Sequence, residues 1–312
     1  MPFEKILSDE LGLVKEGYDE LLLSVQQDTA AAWVSSNADE INKVLFCACP
    51  PSVQKKRLKF LGIACTLSSG VVCREAVEQA VVFVKDGAEK MRKEAAKLVG
   101  AYAETYFRSG RLEEFLDIVK EDVSADDINT VFASVTTLTK TVFDFPEYLK
   151  EKEDVLSVLC SAVEAQMKRE SRMVLCACLG FAKTVATVID RSSESVGKKA
   201  LGMVFLVEEK HRKYFRVGMG HVIENLSSRF TEEDVLSWVP GRERSFVQYV
   251  LRMQRRRGFA VENKETWKSA SKIRYTGKSK RKGEIKKGEI ARIEKGVCNP
   301  RKRNSKEKIR LD

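Results

Sequence analysis

Apolar residues recur at three- and four-residue steps through most of the first 257 positions. In "AEKMRKEAAKLVGAYAETYF" (88–107), Ala88, Met91, Ala95, Leu98, Val99, Tyr102 and Tyr106 share one face. Lys90, Arg92, Lys93, Glu94 and Lys97 fill the other. That is one buried stripe on a solvated helix. Residues 213–230 repeat the pattern with Phe215, Met219, Val222, Ile223, Leu226 and Phe230. Read this way, the chain predicts helices over 3–14, 17–27, 38–49, 51–68, 71–85, 88–108, 111–121, 125–143, 147–169, 171–190, 194–210, 213–229, 231–238 and 242–257.

Punctuation supports the helical reading. The six prolines are Pro2, Pro50, Pro51, Pro146, Pro240 and Pro300, so 52–145 and 147–239 are free of them. Proline suits the first turn of a helix and is costly in its interior. Thr231 with Asp234 three residues on predicts a capped start, Ser124 followed by Asp126 and Asp127 another, and Gly110 a stop. Strand alternation is absent; the one hairpin-like dipeptide, Asp86-Gly87, falls between two helical patterns. Helices of ten to twenty residues, paired about every forty, predict an all-α fold: an α-solenoid of HEAT or armadillo type, with a plain helical bundle as the competing architecture. "LFCAC" (45–49) and "VLCACLG" (174–180) hint at a degenerate repeat.

Beyond Gly258 the character changes. "KSKRKGEIKKGEIARIEKG" and "RKRNSKEKIR" carry dense positive charge, repeated glycine and few large apolar residues. Such a segment buries too little surface to offset its ordering entropy. The expected organisation is therefore a helical-repeat domain over 1–257 and a disordered basic tail over 258–312.

Charge sharpens the division. From Arg242 onward there are 24 Lys and Arg against 8 Asp and Glu, whereas residues 1–241 hold 31 against 37. A mildly acidic body with a strongly basic end points to a polyanionic partner for that end. The start, "MPFEKILSDELG", is charged from its fourth residue and does not read as a signal sequence. No apolar run approaches a membrane span, and the tail lacks the apolar face of a membrane-surface helix, so no membrane partner is expected. The eight cysteines then read as mostly buried free thiols of a reducing compartment.

Candidate chemistry is sparse. Residues two apart on a helix point to nearly opposite sides, so neither Cys47 and Cys49 nor Cys176 and Cys178 can face one ion. Both histidines, His211 and His221, read as surface or hydrogen-bonded imidazoles. "TGKS" (276–279) lacks the glycine and the strand of a phosphate loop, since Lys272 stands where glycine is needed. Paired acids such as Glu208-Glu209 and Glu232-Glu233 suit solvated faces and helix starts. The expectation is a non-enzyme with no cofactor and no metal.

The basic end is more informative. On a helical wheel of 242–257, Phe246, Val247, Val250 and Leu251 cluster on one side, with Arg242, Tyr249, Arg252 and Arg256 opposite. Arginine interleaved with tyrosine suits phosphate contact and base stacking; a solvated terminal helix is the plainer alternative. The candidate nucleic-acid-binding residues are Arg242, Tyr249, Arg252, Arg255, Arg256 and Arg257, then Lys278, Lys280, Arg281, Lys282, Lys286, Lys287, Arg301, Lys302 and Arg303 of the tail. "KSKRK" and "RKRNSK" also fit nuclear-import signals.

Residues 195–257 contain "HRKYFRVGMGHVIENLSSRFTEEDVLSWVPGRERSFVQYVLRMQRRR". This segment resembles the C-terminal part of the eukaryotic ribosomal RNA-processing protein 12 family. The likeness is carried by Phe215-Arg216, by Leu226 with Arg229-Phe230, by Glu233-Asp234-Val235, by Pro240, and by the apolar-to-basic helix from Phe246 to Arg257. The resemblance implies a non-enzymatic HEAT-repeat factor of the nucleus and nucleolus, binding pre-ribosomal RNA and assembly proteins. It would act in small-subunit rRNA processing and pre-ribosome nuclear export, with the Ran GTPase and nuclear-pore proteins as further implied partners. The alternative is an importin-like transport adaptor whose basic tail serves only as a localisation signal.

Overall fold

The computed structural model describes residues 2–45, 49–68, 74–84 and 89–256. The chain divides into two units, Met1–Arg256 and Arg257–Asp312, and the described residues all belong to the first. The tail read as disordered, the "LFCAC" motif apart from Leu45 and Cys49, and the Asp86-Gly87 turn lie outside the described residues.

Among the described residues there are helices and no strands. In chain order they are α1 (Pro2–Ile6), α2 (Leu11–Ser24), α3 (Ala30–Ser36), α4 (Ala38–Leu45), α5 (Pro51–Leu67), α6 (Arg74–Phe83), α7 (Glu89–Arg108) and α8 (Leu112–Val123). There follow α9 (Ile128–Asp144), α10 (Pro146–Lys150), α11 (Glu153–Gln166), α12 (Arg172–Val188), α13 (Glu194–Leu206), α14 (Glu209–Ser227) and α15 (Glu232–Ser237). A 3₁₀ turn at Gly241–Glu243 leads into α16, residues 244–256.

The helices form two rows. α5, α7, α9, α12 and α14 pack in succession, and so do α6, α8, α11 and α13; the hairpins α6–α7, α8–α9, α11–α12 and α13–α14 tie the rows together. Neighbours in space are thus neighbours in sequence, the arrangement of an α-solenoid and not of a closed bundle. The core runs continuously between the rows, from Phe60 and Tyr102 through Phe115 and Leu138 to Phe181 and Ile223.

Successive helices of a row run parallel, and their polar contacts keep a nearly constant sequence offset. Asn225 Nδ2 donates to Lys183 O at 3.2 Å, and Arg229 Nη2 to Thr187 O at 2.7 Å, each across 42 residues. Between α11 and α13, Lys199 Nζ donates to Ser157 Oγ at 2.7 Å, again 42 apart. Nearer the start, Thr105 Oγ1 donates to Cys65 O at 3.1 Å, 40 apart. The expected forty-residue repeat is therefore a physical register.

Local signals account for several helix ends. The capping box at Thr231 and Asp234 is present in full. Gly110, at φ +72°, ends α7 with Gly110 N donating to Phe107 O and Arg111 N to Tyr106 O. Pro51 and Pro146 open helices at their first position. Ser124, read as a start, instead terminates α8, and the cap of α9 is Asp127, whose carboxylate accepts from Thr130 N.

Three other expectations need correction. The predicted 3–14 and 17–27 are cut differently, because α1 folds back on α2 and leaves a turn before Leu11. A Cβ at Gly17 would stand 2.9 Å from Pro2 O and from the Ile6 side chain, so glycine is what lets these two helices meet. α3, which the periodicity reading left out, buries only Ala30 and Val34 and is too short to show a period. The single helix expected over 147–169 is α10 and α11, separated at Glu151-Lys152.

Cys176 is exposed while Cys178 is buried, as expected for positions two apart on one helix. Burial pushes the Cys65, Cys160 and Cys178 thiols up to about 12. Alkylation of the native protein at pH 8, read by mass spectrometry, is expected to modify Cys176 and spare these three. Equal labelling of all four would contradict the packing. Phe181 is fully buried and Phe143 is 69% exposed. Phe181→Ala is therefore expected to cost about 3–5 kcal/mol in urea unfolding, and Phe143→Ala well under 1.

Candidate nucleic-acid interface

α16 is built from one apolar and one cationic side. Val247, Val250 and Leu251 are buried and Phe246 is half-buried, while Arg242, Tyr249, Arg252, Arg255 and Arg256 are exposed. Pro240 and the 3₁₀ turn redirect the chain so that α16 lies parallel to α14. Its register is held by Ser227 Oγ donating to Gln254 Oε1 at 2.7 Å and by Gln254 Nε2 donating to Glu224 O at 3.4 Å.

The five candidate residues, Arg242 of the 3₁₀ turn and the other four on α16, are not equivalent. Arg255 is held by Glu232 at 2.9 Å, and Arg242 stands 3.4 Å from Glu243. Arg252 donates Nε to Gln248 O, which aligns its guanidinium along the exposed side. Among the described residues, Arg252 and Arg256 have no carboxylate partner, so of these five they are the cations free to meet phosphate. Arg257, Lys278, Lys280, Arg281, Lys282, Lys286, Lys287, Arg301, Lys302 and Arg303 lie outside the described residues.

The structure adds residues that the wheel of 242–257 could not show. The Arg216 guanidinium of α14 lies 5.0 Å from the centroid of the Tyr249 ring. One helix further back, Arg172 of α12 lies 4.3 Å from the ring centroid of Tyr214. Arginine over tyrosine thus links α14 to α16 and α12 to α14, each stack worth about 0.5–1 kcal/mol at an exposed site. Tyr214 and Val217 are exposed beside them, as is Lys213. The result is a strip of alternating cation and ring across three parallel helices. Its signal in the sequence is the 42-residue offset from Arg172 to Tyr214, the same as from Lys183 to Asn225.

Behind the strip, the first turn of α14 meets the 3₁₀ turn through an ion pair between the half-buried Arg212 and the buried Glu243. Arg212 Nη1 donates to both carboxylate oxygens of Glu243, at 2.9 and 2.8 Å, and the Glu243 side chain is 8% exposed. Arg212 also donates Nε to Val207 O at 3.0 Å and Nη2 to Phe205 O at 3.4 Å. One guanidinium therefore stitches two turns. Two recesses share this pair as a wall. One, of about 290 Å³, has Met219 and Phe246 in its lining with Lys213 and Arg216; the other, of about 390 Å³, is lined by Glu208, Glu209 and Arg242.

The histidines divide. His221 is partly exposed and its Nδ1 lies 3.1 Å from Glu224 Oε2, as a surface imidazole should. His211 is buried, and neither ring nitrogen has a hydrogen-bond partner among the described residues, contrary to the surface reading. It sits in the first turn of α14, which the 213–229 boundary had placed outside the helix. Among the described residues no group of three or more His, Cys, Asp or Glu side chains is placed to hold a metal ion.

No protein-family model and no curated protein matches the sequence. Solved structures do. One, from work on how TOG–tubulin binding specificity promotes microtubule dynamics and mitotic spindle formation, aligns with a TM-score of 0.52 at 15% identity. The alignment covers 69% of this chain and 79% of that one. A designed armadillo repeat protein in complex with the peptide (KR)4 aligns with a TM-score of 0.42 at 10% identity, over 72% and 98% of the two chains. The first likeness agrees with the stacked-hairpin architecture described above, and it speaks to fold alone.

Removing Arg212 leaves the buried Glu243 carboxylate without its main compensating charge. Arg212→Met is expected to destabilise the protein by about 3 kcal/mol in urea unfolding, and adding Glu243→Leu should recover most of that loss. A single variant as stable as the wild type would show that the pair is solvated.

Proposed function

We propose that the chain is a non-enzymatic helical-repeat scaffold that binds RNA. The RNA is held by the α12–α14–α16 strip and by the basic residues that follow α16 in sequence; the repeats before it serve protein partners. The observation that carries this reading is the exposed side of α16. There, among the described residues, Arg252 and Arg256 have no carboxylate partner, and Arg216 lies over Tyr249. Unpaired arginines give salt-dependent phosphate contacts, and tyrosine planes accept unstacked bases with little sequence preference.

In its finer form the proposal places the protein in ribosome assembly. Its RNA is then pre-ribosomal, its protein partners are assembly factors, and its work is small-subunit rRNA processing and pre-ribosome export from the nucleus and nucleolus. Support for this comes from the resemblance of residues 195–257 to the ribosomal RNA-processing protein 12 family. The resembling segment coincides with α13 to α16, which carry most of the strip. Contacts with the Ran GTPase and with nuclear-pore proteins belong to the same proposal.

Deleting 258–312 is expected to remove most affinity for single-stranded RNA while leaving the thermal transition of residues 1–257 nearly unchanged. Arg252→Glu with Arg256→Glu in the full chain should weaken binding and lower the slope of log K against log salt by about one unit per arginine. Fluorescence anisotropy across a salt titration reads both effects. Negligible RNA affinity of the intact protein at low salt would overturn the proposal and leave the importin-like adaptor reading in its place.

A further inference from the structure

The recess of about 290 Å³ between α14 and α16 offers more than a charged surface. Met219 and Phe246 give it apolar walls, Arg212, Lys213 and Arg216 line it as cations, and Glu243 of the 3₁₀ turn completes the lining. Among the described residues neither Lys213 nor Arg216 has a carboxylate partner; Arg216 instead lies over Tyr249. Its volume is at the lower edge of small-molecule sites, enough for one ring system but too small for a whole nucleotide.

Glu243 is the unusual member. Both of its oxygens accept from Arg212 Nη1, and Oε1 also stands 3.4 Å from Arg242 Nε; a carboxylate has about four lone-pair sites, so acceptor capacity remains. An apolar side chain entering the recess would bury that capacity unmatched, which is unfavourable. A planar group with two adjacent N–H donors would use it. Guanine presents such an edge, at N1–H and the N2 amino group. Uracil presents one N–H flanked by two carbonyl oxygens, which the carboxylate repels. Phosphates on either side of the inserted base would meet Lys213 and Arg216, the charge complementarity that an RNA strand supplies.

We propose that this recess is a nucleobase subsite that takes a guanine from single-stranded RNA. The base packs between Met219 and Phe246 and donates N1–H and N2–H to the Glu243 carboxylate. This inference rests on the RNA-binding reading above and adds a base preference to it. A carboxylate that accepts two bonds from one base edge discriminates by about tenfold or more.

The test uses the full-length protein and four decamers of single-stranded RNA. One is all uridine, and the others carry a single central guanosine, adenosine or cytidine. Anisotropy at fixed salt is expected to show the guanosine decamer binding about tenfold tighter than the all-uridine one. Glu243→Gln should bring the guanosine decamer down to the uridine level, because the amide turns one of the two acceptor atoms into a donor facing a guanine N–H. Phe246→Leu, which keeps the ion pair, should narrow the difference, whereas Glu233→Gln on the exposed side of α15 should preserve it. Equal binding of all four decamers by the wild type would overturn the subsite and leave the RNA-binding reading intact. Absence of RNA binding would overturn both. Displacement of the guanosine decamer by an acidic peptide bearing one leucine, with no displacement by GMP, would reassign the recess to a protein side chain.

Discussion

The structure depends on a register. In the row α5, α7, α9, α12 and α14, successive helices lie parallel with partners about forty residues apart: Thr105 on Cys65, Asn225 on Lys183, Arg229 on Thr187. Buried apolar stripes supply the cohesion of such stacks, but stripes alone tolerate sliding by a turn. Hydrogen bonds to main-chain carbonyls at a constant offset remove that freedom. The same register determines which surface side chains of successive helices become neighbours. Arg172 meets Tyr214 and Arg216 meets Tyr249 because the helices beneath them are aligned.

The end of the stack is fixed by different means. α16 follows a six-residue helix and a 3₁₀ turn, without a long first helix to anchor it. The Arg212–Glu243 pair takes over that role. It joins the end of α13 and the start of α14 to the 3₁₀ residue that precedes α16, and four of its hydrogen bonds come from one guanidinium. Arginine's planar fork suits this bridging, and a lysine could not reproduce it. Position and chemistry are therefore coupled: the pair that seats α16 also walls the recess beside the cationic strip.

Much of the fold was legible in the sequence because helices of ten to twenty residues carry several turns of apolar period. The face Met219, Val222, Ile223 and Leu226 on α14 and the face Val247, Val250 and Leu251 on α16 are both buried as the period requires. Short elements were not legible: α3 spans seven residues and α10 five, fewer than the period needs to repeat. The candidate interface was half legible. A wheel finds the exposed arginines of α16, since exposure follows from one helix's own pattern. It cannot find Arg216, Arg172 or Tyr214, whose relevance comes from neighbouring helices, nor the burial of Glu243, whose acidic side chain reads as solvated until its partner is known.

The central claim is that RNA lies along the α12–α14–α16 face and the basic residues after it. The direct measurement is photocrosslinking of 4-thiouridine RNA to the full-length protein, with crosslinked peptides located by mass spectrometry. The account predicts crosslinks on peptides containing Tyr214 and Tyr249 together with peptides beyond residue 257. Crosslinks confined to α6, α8, α11 and α13, the other row of the stack, would contradict it.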